Sequence, residues 1–88
     1  MTANLQTAYD RESDVLYITA KRAPADSREG MPGLFWRYSL NDGDLVGVTV
    51  FDYQTYWHPR IDVLAKQLAT RFHLTNKSAK KVLENAER

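Results

Sequence analysis

Two apolar runs, residues 33–40 and residues 45–51, flank the tetrapeptide Asn41-Asp42-Gly43-Asp44, and this arrangement constrains the fold more than any other part of the chain. The runs are rich in aromatic and β-branched residues, and an Asp-Gly pair between such runs marks a β-hairpin. The register follows from the pattern. A two-residue Asp42-Gly43 loop would set Tyr38 opposite Gly47 and Trp36 opposite Thr49. A three-residue Asn41-Asp42-Gly43 loop, closed by a left-handed glycine and a bulge, sets Tyr38, Trp36 and Leu34 opposite Val46, Val48 and Val50. Only the second gives one apolar face, because a slip of one residue turns every side chain over. The sequence therefore predicts Trp36 and Val48 on one face, with Gly43 at positive φ.

The flanking segments add to this hairpin. Leu5-Gln6-Thr7-Ala8-Tyr9 and Asp14-Val15-Leu16-Tyr17-Ile18-Thr19 read as two strands joined by the polar turn Asp10-Arg11-Glu12-Ser13. Residues 21–32 contain Pro24, Gly30 and Pro32 among charges, keep neither period, and read as a long loop. Pro59 suits the first turn of a helix. Beyond it Ile61, Leu64, Ala65, Leu68, Ala69 and Phe72 recur at helical spacing, and Ala79, Val82, Leu83 and Ala86 repeat the pattern after a break near residues 74–76. Thr75, Asn76 and Ser78 are the candidate caps of that second helix. The expected architecture is α+β: a four-stranded antiparallel meander followed by one long and one short C-terminal helix. The 88 residues form one domain, with a sheet unit over residues 5–52 and a helical part over residues 59–88.

Several kinds of chemistry are disfavoured at this level. The chain has no cysteine, which removes disulfides, thiolate metal sites and cysteine nucleophiles. His58 and His73 each have a single plausible carboxylate neighbour in sequence, and ligation would require a further, distant ligand, so no metal and no cofactor are expected. Asp10, Glu12 and Asp14 lack the glycine and closing glutamate of a calcium loop and read as turn-stabilising carboxylates. Gly30-Met31-Pro32-Gly33 precedes a strand, whereas phosphate loops precede helices. Ser13, Ser27, Ser39 and Ser78 stand in no nucleophile context. Neither a leader nor a membrane span is visible, so a cytoplasmic location is expected.

What remains are two surfaces. Residues 1–59 carry five bases against eight acids, and residues 60–88 carry seven bases against three acids. Such asymmetry offers a nucleic-acid surface formed by Arg71, Lys77, Lys80, Lys81 and Arg88, set against the plainer reading of a solvated helix face. The second surface is apolar. The sheet carries aromatic or aliphatic residues on both faces, one helix covers one face, and Phe51, Tyr53, Tyr56 and Trp57 crowd a single short segment. Val15, Tyr17, Phe35, Phe51, Tyr53, Tyr56 and Trp57 are therefore the candidate interface, with aromatic packing of the core as the alternative use of the last four.

The run Tyr9-Asp10-Arg11-Glu12-Ser13-Asp14-Val15-Leu16-Tyr17-Ile18 resembles the opening signature of a family of small bacterial proteins, domain of unknown function 2283. The likeness continues through Asp42-Gly43 and Leu45-Val46-Gly47-Val48-Thr49-Val50-Phe51-Asp52, covering residues 5–52. Val15 stands where that family mostly has alanine, and residues 53–88 extend past its short members. The resemblance implies a compact β-rich unit, and for some relatives a role as partner or antitoxin of a small toxin-like protein. It carries no catalytic residue. The resulting expectation is a non-enzymatic interaction module, a homodimer or the partner of a small protein, with nucleic-acid association through the basic helix as the alternative.

Overall fold

The structure is a computed structural model and describes residues 5–86. Five antiparallel strands form one sheet: β1 (Gln6–Asp10), β2 (Val15–Thr19), β3 (Ala25–Glu29), β4 (Leu34–Ser39) and β5 (Leu45–Phe51). Their spatial order is β1-β2-β5-β4-β3. A single π-helical turn (Tyr53–Trp57) and a 3-10 turn (His58–Arg60) lead into α1 (Ile61–Phe72) and α2 (Asn76–Ala86).

The sheet thus has five strands where the sequence predicts four, and it is not a meander. The additional strand, β3, lies inside the segment read as a loop. Its sequence Ala-Asp-Ser-Arg-Glu is almost wholly exposed and has no apolar alternation, because an edge strand needs neither face buried. A tight turn creates it. Gly30 N–H donates to the Leu34 carbonyl and Leu34 N–H to the Met31 carbonyl, each at 2.9 Å, and Gly33 takes φ +89°. Once β3 pairs with β4, β2 takes the far side of β5 and the order becomes a Greek key. The connection through residues 20–24 crosses the end of β5 and β4. It is tied at one end by Ala20 and Lys21 N–H donating to the Val46 carbonyl, and at the other by Leu40 N–H donating to the Pro24 carbonyl.

The central hairpin has the predicted face but a different tip. Trp36 lies opposite Val48 and Leu34 opposite Val50, whereas Tyr38 lies opposite Leu45 rather than Val46. Ser39 N–H donates to the Asp44 carbonyl at 2.8 Å and Gly43 N–H to the Ser39 carbonyl at 2.9 Å, so four residues rather than three form the loop. The register shift next to Arg37 and Tyr38 absorbs the extra residue and returns the apolar pairs to one face. Gly43 has φ +77°, as predicted, and a Cβ there would meet nothing within 4 Å. The cost of Gly43→Ala is therefore purely conformational. It is expected to lower stability by about 1 kcal/mol in denaturant unfolding, and an unchanged midpoint would contradict the left-handed assignment.

Both helices cover the same face. Leu64, Ala65 and Leu68 of α1 and Ala79, Leu83 and Ala86 of α2 share one buried cluster with Leu16, Ile18, Leu34, Trp36, Val48 and Val50. Helix α1 ends where His73 adopts φ 56° and Leu74 N–H returns to the Ala69 carbonyl, a left-handed stop. Thr75 then caps α2, accepting the Ser78 N–H on its hydroxyl at 3.0 Å. The sharp reversal lays α2 against α1 and β1, on the side of the sheet that already holds α1.

Candidate interaction surface

The aromatic segment after β5 divides in two. Asp52 adopts φ 57° and turns the chain off the sheet, and the π-helical turn that follows points Tyr53 and Trp57 inward, where both are buried in the core cluster. These two residues, together with Val15, which its own chain also buries, therefore leave the candidate interface. Tyr56 stays 43% exposed, edge-on to Trp57, with the Arg60 guanidinium 4.1 Å above its ring.

One carboxylate sets the geometry of this corner. Asp14, itself left-handed at φ 56°, accepts the Tyr9 hydroxyl at 2.6 Å, Gln54 N–H at 2.8 Å, Thr55 N–H at 3.2 Å and the Thr55 hydroxyl at 3.0 Å. Its carbonyl also takes the Tyr53 N–H. The side chain thus joins the β1–β2 turn to the first N–H groups of the π-helical turn, and local sequence pattern does not show it because Gln54 and Thr55 lie 40 and 41 residues away. Asp10 has a local task, accepting the N–H groups of Glu12 and Ser13 within the turn. Among the described residues no three His, Asp or Glu side chains are grouped to hold a metal ion.

Burial alone would raise the pKa of Asp14, but the hydrogen bonds from Tyr9, Gln54 and Thr55 outweigh it and hold the carboxyl below its ordinary value. The same bond to Asp14, followed by desolvation, pushes the Tyr9 hydroxyl up to about 12. For Asp14, with its folded pKa depressed, the stabilisation is present above the ordinary carboxylate value and is lost as pH falls through the folded one. For Tyr9, with its folded pKa raised, it is present below the ordinary tyrosine value and lost as pH rises through about 12. Asp14→Ala is expected to cost about 2 kcal/mol at neutral pH and to flatten the acid limb of a stability–pH profile. Asp14→Asn, which tolerates positive φ, is expected to cost less. Equal stability of wild type and Asp14→Ala would show that the Asp14 hydrogen bonds do not hold this corner together.

Among the described residues no helix packs on the second face of the sheet. Strand pairing places Ala8, Tyr17, Thr49, Phe51, Phe35 and Arg37 on it. Tyr17 is 43% and Phe51 41% exposed, and the Phe35 and Phe51 rings meet edge to face at 5.2 Å. Beside Phe51 a cleft of about 230 Å³ opens between Pro32, Gly33, Asp52, Tyr56 and Trp57, which carries the aromatic strip on to Tyr56.

The basic residues do not form one free cluster. The Arg71 guanidinium lies 4.9 Å from the Trp36 ring centre and donates to the Tyr38 hydroxyl at 2.8 Å, while Lys80 pairs with Asp62 at 2.8 Å. Lys77 and Lys81 are exposed on α2, and Arg88 lies outside the described residues.

Fold and surface together define a small α+β protein whose main buried cluster and helices lie on one side of an antiparallel sheet. Residues 6–53 match the family described as protein of unknown function (DUF2283), and the chain belongs to that family. The match begins at the first residue of β1 and ends at Tyr53, so it contains the whole sheet and stops as the π-helical turn begins. No curated protein and no solved structure matches the chain. Among the described residues no helix is long and apolar enough to cross a membrane.

Proposed function

We propose that the protein is a non-enzymatic interaction module and that the uncovered sheet face, centred on Tyr17, Phe35 and Phe51, is its contact surface. The observation that carries this reading is the placement of α2. A second helix was available in the same chain, yet it packs beside α1 and leaves the aromatic face open. Large rings grouped on a solvent-facing sheet favour association with another apolar surface. A second copy of the chain is the occupant we assign, since two such faces stack at the ordinary sheet-to-sheet spacing of about 10 Å. The partner role implied by the family resemblance would use the same face.

The nucleic-acid reading has less support. Arg71 and Lys80, two of its five candidate residues, are engaged within the chain, and phosphate binding draws on cations free to release counterions. Weight-average mass in solution tests the proposal. At several hundred micromolar the protein is expected well above its 10.1 kDa chain mass, and Phe51→Glu is expected to halve the measured mass. A mass equal to one chain for the wild type would overturn it.

A further inference from the structure

Strand β3 is an open edge, and its backbone and charges are complementary to themselves. The Leu40 N–H bond to the Pro24 carbonyl and the Gly30 N–H bond to the Leu34 carbonyl fix the even-numbered residues of this segment as those bonded to β4. Since backbone groups alternate along a strand, Ala25, Ser27 and Glu29 direct their N–H and C=O groups away from the sheet. Asp26 and Arg28 direct theirs inward, and their side chains lie on the helix side, opposite Tyr38 and Trp36. Both are exposed, and the Arg28 guanidinium stands 5.6 Å from the Tyr38 ring centre.

We infer that β3 pairs antiparallel with β3 of a second copy about a two-fold axis at Ser27, joining two sheets into one. This centring brings the outward groups of Ser27 onto those of the other Ser27, and those of Ala25 onto Glu29, so every outward N–H of the strand meets a carbonyl. It also sets Asp26 directly opposite the second copy's Arg28, twice, as non-hydrogen-bonded pairs whose Cα atoms approach to about 4.5 Å. Charged residues on an edge strand ordinarily discourage such pairing, but here the same register that satisfies the backbone turns them into opposite-charge pairs. The other edge lacks this property: β1 paired with itself about Ala8 would set Asp10 opposite Gln6 and Tyr9 opposite Thr7.

The edge axis is perpendicular to the sheet, so both uncovered faces remain on the same side. It is independent of the face contact proposed above. Where an in-plane face axis intersects the edge axis, the two together generate a closed tetramer of dihedral symmetry.

Complementary charge reversal, carried out in the Phe51→Glu background so that the face contributes nothing, tests the edge alone. The parent Phe51→Glu protein is expected at twice the 10.1 kDa chain mass by sedimentation equilibrium. Adding Asp26→Arg sets arginine against arginine, and adding Arg28→Asp sets aspartate against aspartate. Each is expected to weaken association about tenfold or more, while an equimolar mixture of the two restores it. Circular dichroism confirms that each variant is folded. A monomeric parent, unaffected single variants, or a mixture that stays monomeric would each overturn the inference, and none of these results depends on whether the face also associates.

Discussion

Ending the chain after Tyr53, where the family match stops, is expected to abolish folding rather than to yield a smaller stable domain. The sheet would then present Leu16, Ile18, Leu34, Trp36, Val48 and Val50 to water, all of which are essentially inaccessible beneath the two helices. Each such side chain returned to water costs roughly 1.5–3 kcal/mol, and several together exceed the net stability of about 5–15 kcal/mol typical of a domain. A point substitution measures the same contact without cutting the chain. Leu68 is fully buried in the common cluster, and Leu68→Ala is expected to lower the unfolding free energy by about 3 kcal/mol. A dispersed amide spectrum from the fragment, or a loss below about 1 kcal/mol for Leu68→Ala, would show that the helices are accessory to the sheet.

The parts of the fold legible in the sequence are those where burial imposes a period. Leu64, Ala65 and Leu68 follow the helical stripe, Leu34 and Trp36 the strand alternation, and each reaches the core as predicted. Strand β3 is illegible for the opposite reason, since its exposed residues carry no record of a buried face. Its only signal is the turn beside it, since Met31-Pro32-Gly33 resembles a hairpin turn as much as the Asp42-Gly43 pair does. The candidate surface is partly legible. Tyr17, Phe35 and Phe51 lie on the face that alternation assigns them, but Tyr53 and Trp57 follow no strand period, and only the left-handed Asp52 and the π-helical turn send them inward. The Asp14 clamp depends on partners brought together by the folded chain, which local pattern does not encode.

The second large effect concerns the uncovered face. Phe51 presents its ring at the centre of the aromatic strip, against Phe35 on one side and the cleft toward Tyr56 on the other. A glutamate there places a charge where a second sheet would have to remove it from water, a cost of several kcal/mol at a contact. Because Phe51 is 41% exposed in the single chain, the same substitution leaves the core untouched and is expected to change folding stability by less than about 1 kcal/mol. Loss of association without loss of fold is the signature of a contact residue. The most direct test is therefore sedimentation equilibrium of the wild type beside Phe51→Glu at matched concentration, with thermal unfolding of each as the control. The weight-average mass is expected to fall by half while the melting temperature shifts by no more than a few degrees. An unchanged mass in the folded variant would contradict the assignment of this face as the contact surface.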